Sequence, residues 1–200
     1  MTTKAGPSVR QKILEKGTEL FARKGYAATT VREIVTAAGV TKPVLYYYFQ
    51  NKEGLFRELM SQAWERFGFL ITIALKETGT AQKKIIHLIE KTYELFLDQI
   101  EVARVGYSIY YGPPQGAPFF DFDAYHLKFQ ETVSNLILEG IEKKEFIKGN
   151  VVEMTWAIIG VLNVAIEIRL GHPEMAVDQK GLGRILNLVF GGIKKDKERG

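Results

Sequence analysis

Two short helical patterns meet at a single glycine in residues 29–52, and this constrains the 200-residue chain more tightly than any other stretch. Val31, Ile34, Val35 and Ala38 recur at helical spacing, so one face is apolar. Thr30 precedes them as an N-cap, its hydroxyl accepting from a first-turn amide. Gly39 stands where the pattern stops and supplies a left-handed C′ position without a Cβ penalty. Thr41 is placed to cap a second helix, with Pro43 in its first turn, where a missing N–H costs nothing. Lys42 precedes a proline and is biased away from αR, so that helix starts at Lys42 or at Pro43. Leu45, Tyr48 and Phe49 are expected to face inward. This is the layout of a helix-turn-helix whose second helix enters the DNA major groove. An αα-hairpin that touches no DNA has the same spacing.

The wording of the stretch goes beyond spacing. The chain has Lys24-Gly25-Tyr26, then Thr-Thr-Val-Arg-Glu-Ile at 29–34 and Ala38-Gly39-Val40. Thr41-Lys42, Leu-Tyr-Tyr-Tyr-Phe at 45–49 and Asn51-Lys52-Glu53-Gly54-Leu55 follow. It resembles the TetR family of bacterial transcriptional regulators over residues ~8–60. Three departures are visible. Val35 replaces a usual small Ala, Pro43-Val44 stands where Gly-Thr is common, and Gly54 replaces a more helix-favouring Glu. The resemblance implies that Lys42, Pro43 and Val44 meet the major groove while Tyr46, Tyr48 and Lys52 hold the DNA backbone, and Thr41 is counted among the DNA-binding residues. Thr29, Thr30 and Arg32 are further expected contacts, with Arg32 able to read a guanine.

Charge is segregated along the chain. Residues 1–52 carry nine Lys/Arg against Glu15, Glu19 and Glu33, while residues 53–200 carry eighteen against twenty acids. A basic quarter beside a nearly neutral remainder is the electrostatic footprint of a DNA-reading domain joined to a domain of another kind. There is no cysteine, hence no disulfide framework and no thiol nucleophile. No signal-peptide pattern opens the chain, so a cytoplasmic protein is expected.

The pattern predicts an all-α fold of about nine helices. A three-helix helix-turn-helix DNA-binding domain occupies 1–52, and a ligand-binding and dimerisation bundle occupies 53–200. The first helix runs over 8–24 and a long fourth helix from a cap at Asn51 towards Glu77. The fifth follows Thr80, and a short sixth ends at Tyr110-Tyr111. Residues 112–118 are a loop, because Gly and Pro dominate them. The seventh helix is expected over 119–144, the eighth over 151–171 and the ninth over 176–192. Residues 156–170 are mostly apolar but too short to span a membrane, and they hold Asn163, Glu167 and Arg169. Helices eight and nine are apolar on more than one face, the latter through Leu182, Ile185, Leu186, Leu188, Val189 and Phe190. A four-helix homodimer interface between two copies is expected from them, and the resemblance implies the same pairing.

The middle of the chain is rich in aromatic residues, which suits an apolar pocket with a few polar groups that orient a ligand. Candidate lining residues are Phe67, Tyr93, Phe96, Tyr107, Tyr110, Phe122, Tyr125, His126, Phe129, Trp156, Asn163 and Glu167, and residues 112–118 are a candidate entrance. Each ring taken singly is equally at home in a packed core. The expected partners are double-stranded operator DNA, a second copy of the chain and a small, largely apolar or aromatic effector of unknown identity. No cofactor, metal or catalytic residue is expected. The three histidines are far apart, with His87 on a polar face and His172 near a helix end. No Gly-rich phosphate loop or Gly-x-Ser-x-Gly elbow occurs.

Overall fold

The computed structural model describes residues 8–193. Among them are nine α-helices and one short 3₁₀ turn. They are α1 (Val9–Lys24), α2 (Val31–Ala38), α3 (Lys42–Phe49), α4 (Lys52–Lys76) and α5 (Ala81–Asp98). After these come α6 (Ile100–Tyr110), α7 (Phe122–Glu142), α8 (Val151–Gly171), the turn Pro173–Met175 and α9 (Gln179–Ile193). The charged tail lies outside the described residues.

Helix ends follow local chemistry. The Ser8 hydroxyl accepts from the Gln11 amide and starts α1. Thr80 Oγ1 accepts from Lys83 N at 3.2 Å at the head of α5, and Asn150 Oδ1 accepts from Val152 N at 3.0 Å at the head of α8. Two starts lie three residues later than the periodicity suggested. The Asp121 carboxylate accepts from Ala124 N at 3.0 Å and fixes the start of α7. The Pro173–Met175 turn delays α9 to Gln179, where Asp178 Oδ1 accepts from Gly181 N at 2.7 Å. The exposed His172 lies within 3.5 Å of Glu174 at this turn.

The chain packs as two compact units, and the packing does not divide at residue 52. Among the described residues, one unit contains residues 8–65 together with Gln99–Phe120. Its core joins Ile13, Leu14, Leu20 and Phe21 of α1 to Ile34, Val35 and Ala38 of α2. Leu45 and Phe49 of α3, Leu55, Phe56, Leu59 and Met60 of α4, and Val105 of α6 complete it. Gly17 lets α1 and α4 approach closely, since a Cβ there would stand 2.4 Å from Leu55 Cδ2. Burying an apolar side chain of this size stabilises a fold by about 1.5–3 kcal/mol.

Among the described residues, the other unit contains Arg66–Asp98 and residues 121–193. Its core is built from Ile85, Leu88, Ile89 and Tyr93 of α5, Val133, Leu136 and Ile137 of α7, Ile158, Leu162 and Ile166 of α8, and Leu182, Leu186 and Phe190 of α9. Phe146 stacks on Phe190 at 5.6 Å, and the Ile147 amide donates to the Ile193 carbonyl at 2.9 Å, closing the connector after α7 onto the end of α9. Helix α8 has the length and mean hydropathy (1.8) of a membrane span. It packs against α7 and α9 instead, and Asn163 and Glu167 stand on its exposed side.

Candidate nucleic-acid interface

Helix α2 is held at both ends. The Thr30 hydroxyl accepts from Glu33 N at 3.3 Å while the Glu33 carboxylate accepts from Thr30 N at 2.9 Å, a reciprocal capping box. Lys24 pairs with the same carboxylate. The Lys24 bond and the two Thr30 bonds hold the Glu33 pKa down at about 2. At the other end Gly39 takes a left-handed conformation (φ 66°, ψ 39°), and its amide donates to the Thr36 carbonyl.

Helix α3 follows after three residues and begins at Lys42. Thr41 occupies its N-cap in extended conformation, but its hydroxyl makes no capping bond, contrary to expectation. The Thr41 carbonyl still accepts from Val44 N and Leu45 N, so the backbone alone starts the helix. Leu45 and Phe49 are buried, and Arg10 lies over the Phe49 ring at 5.3 Å while donating to Glu58 at 2.5 Å. Those contacts fix which way α3 faces. Its outer surface then carries Thr41, Lys42, Pro43, Tyr46 and Tyr47, with Val44 half-buried beside them. Tyr48 was expected inward but lies on the exposed rim, with its ring 5.0 Å from that of Tyr47. Tyr47 is 82 % exposed and is absent from the residues read as DNA contacts. The run of three tyrosines was the available signal, because three consecutive large aromatic residues on a short helix cannot all face the core.

Two expected DNA contacts are turned inward. Thr29 is 1 % exposed, and its hydroxyl donates to the Gly25 carbonyl at 2.8 Å. Its side chain therefore locks the α1–α2 corner and does not reach DNA. The Lys52 ammonium donates to the Tyr26 and Thr29 carbonyls at 2.9 and 3.0 Å and lies 4.1 Å from the centre of the Tyr26 ring. Burial lowers its pKa. Two of its three N–H groups thus face protein, which makes Lys52 first a tie between α4 and that corner. Thr30, Arg32 and Lys42 remain exposed.

The expected ligand-lining residues separate. Tyr107 and Tyr110 belong to the first unit, where each ring packs against Tyr111, at 5.3 and 4.7 Å. In the second unit Phe67 meets Phe129 at 5.5 Å. Phe96, Phe122 and Tyr125 are half-buried, and burial assisted by Asp121 pushes the Tyr125 pKa up to about 12. His126 keeps an exposed edge, yet desolvation lowers its pKa, with Asp123 acting in the opposite sense. Tyr93 is fully buried and its hydroxyl donates to the Val177 carbonyl at 2.9 Å, so that group is engaged within the core. Trp156, Asn163 and Glu167 face solvent on α8, not the core of the unit. His87 pairs with Glu77.

Known proteins agree with this geometry. The family described as bacterial regulatory proteins, tetR family, matches residues 13–59, which cover the body of α1, all of α2 and α3, and the start of α4. The uncharacterized HTH-type transcriptional regulator YdgC of Bacillus subtilis is 28 % identical over 106 residues, 51 % of this chain and 54 % of that protein. The fatty acid metabolism regulator protein of Bacillus subtilis is 34 % identical over 97 residues, 46 % of this chain and 48 % of that protein. The matches thus span about half the length of these two relatives. The solved structure of the TetR family transcriptional regulator PfmR from Thermus thermophilus shares the fold, with a TM-score of 0.72 at 23 % identity over 98 % of this chain and all of that one. Over residues 13–59 the chain thus matches the tetR family of bacterial regulatory proteins, and across its length it shares the all-helical fold of a solved TetR-family regulator.

Proposed function

We propose that the protein is a cytoplasmic, homodimeric transcriptional regulator that binds a palindromic operator, represses from it, and is released by a small, largely apolar ligand. The outward surface of α3 carries this reading. Leu45 and Phe49 sink into the core, which leaves Lys42, Pro43, Tyr46 and Tyr47 in a row facing solvent. Phosphate contacts supply most of the affinity and base-edge contacts the specificity. Lys42 and the tyrosine hydroxyls suit the first task. Arg32, exposed in the first turn of α2, suits the second.

Dimerisation is supported by an exposed apolar face in the second unit. Val152, Trp156 and Val164 recur on one side of α8, and Ile185 and Leu188 are exposed on α9. Pairing two copies of this face would make a four-helix interface. The ligand-binding part rests on the Phe67–Phe129 contact, with the half-buried Phe122 and Tyr125 on the same helix as Phe129 and the half-buried Phe96 on α5 of the same unit. The similarity to a regulator named for fatty acid metabolism is in keeping with an apolar effector. Release requires the ligand to favour a conformer that fits DNA poorly, because equal affinity for both shifts nothing.

The test is selection of duplexes from a randomised pool by the purified protein. A regulator of this kind enriches an inverted repeat. A dimer that enriches no duplex over random DNA contradicts the reading. A dimer that binds its repeat but takes up no apolar ligand supports a regulator governed by a protein partner or by dimerisation.

A further inference from the structure

Residues 112–118 do more than connect α6 to α7. The side chain of Gln115 reaches back to the corner between α1 and α2. Its Oε1 accepts from the Tyr26 amide at 2.9 Å, and its Nε2 donates to the Ser108 carbonyl at 3.1 Å. One amide group thereby joins the last turns of α6 to the residue from which the chain departs towards α2. The corner is shaped for it. Gly25 has φ +80°, and a Cβ there would stand 2.6 Å from Gln115 Oε1, so only glycine leaves room for the bond.

The corner is itself a connected set of bonds. Thr29 donates through Oγ1 to the Gly25 carbonyl and through its amide to the Tyr26 carbonyl at 3.3 Å. Lys52 donates to the carbonyls of Tyr26 and Thr29. Thr30, the next residue, is the N-cap of α2. Packing between α1 and α6 in the same unit backs the arrangement. The path from Gln115 to the start of α2 therefore runs through Tyr26 and Thr29 without a gap.

We propose that Gln115 is a positioning residue for DNA binding: its side-chain amide sets the Gly25–Tyr26 corner, and with it the pose of α2, so that movement of the 112–118 segment alters DNA affinity. The inference rests on the proposed DNA-binding function and adds to it a site of control on the reading unit.

The experiment uses the full chain, a duplex enriched from a randomised pool, and Gln115→Met, which keeps length and bulk but removes both bonds. DNA affinity should fall about threefold to tenfold, which corresponds to roughly one hydrogen bond's net free energy out of the two removed being passed on to the pose of α2. Amide hydrogen exchange should speed up at Tyr26 and also at Glu33 and Ile34 in the first turn of α2, with the melting curve unchanged. Faster exchange at Tyr26 alone, with unaltered affinity, overturns the inference and leaves the proposed function standing. If the wild-type protein enriches no duplex, the proposed function fails, and unchanged exchange at Glu33 and Ile34 still overturns the tether. Gln115→Ala serves as a second variant. Unfolding of both overturns the inference too, because the amide would then hold the fold rather than pose the reader.

Discussion

Gly54 sits so close to Phe49 that a Cβ on it would stand 2.0 Å from the Phe49 carbonyl oxygen. The chain turns there from α3 into α4 in two residues. Asn51 N donates to that carbonyl at 2.7 Å, and Gly54 N donates to Asn51 Oδ1 at 2.7 Å. Helix propensity alone favours alanine over glycine by about 1 kcal/mol. The clash is with backbone, which cannot rotate away, and overpacking of this kind costs about 1–3 kcal/mol. Gly54→Ala should therefore lower stability in urea denaturation despite the better propensity. A gain in stability would mean that the turn relaxes freely.

Lys52 is tied into the protein, so its removal should register first in stability. Lys52→Ala should cost about 1–2 kcal/mol, in line with hydrogen bonds from a charged donor. DNA affinity should drop for every sequence while the log–log salt slope changes by less than one unit. A drop of a full unit would instead mark the ammonium as a phosphate anchor.

Glu33 gives a pH signature. Its pKa is depressed from the ordinary carboxylate value to about 2 in the folded state. A depressed carboxylate pKa contributes stability above the unfolded-state value, and this is lost as pH falls through the folded one. The melting temperature of the wild type should thus exceed that of Glu33→Gln at pH 7. The gap should narrow between about pH 4.5 and pH 2. The group is exposed, so added salt should shrink the gap as well. A gap that is constant with pH would remove the ion pair and the cap as its cause.

The dimer reading separates two neighbours on α9. Leu188 is 78 % exposed, whereas Leu186 is 0 % exposed in the core of the second unit. Leu188→Arg should give a folded monomer in sedimentation, and Trp156→Arg on α8 should do the same. Leu186→Arg should lose the fold, as an unpaired buried charge does. A Leu188→Arg protein that remains a dimer would place the interface elsewhere.

Much of the fold was legible because its signals are local. The Thr30 cap, the Gly39 stop and the apolar faces of α1 and α2 depend on residues within four positions of one another. Glu33 completes the cap three residues on, at the spacing of a capping box. Thr29 and Lys52 were harder. A polar residue beside a DNA-reading helix has the same sequence signature whether it faces phosphate or the carbonyls of a corner, and only the packing of α1 against α4 decides. Gln115 lies 89 positions from Tyr26, so no local pattern could join them. Leu186 and Leu188 look alike in an over-apolar helix, and the exposure of one and burial of the other come from how α9 meets its neighbours. Asn163 and Glu167, one turn apart on α8, read equally as pocket groups or as solvent-facing ones.

The most direct test of the account is a titration of the enriched duplex with the wild type, Lys42→Ala and Arg32→Ala, repeated with single-base variants of the duplex and at several salt concentrations. Lys42→Ala should weaken all duplexes alike and reduce the salt slope by about one unit. Arg32→Ala should erode discrimination by about 1–3 kcal/mol at one base pair in each half-site. Unchanged affinity, slope and base preference in both variants would contradict the assignment of α2 and α3 as the DNA reader.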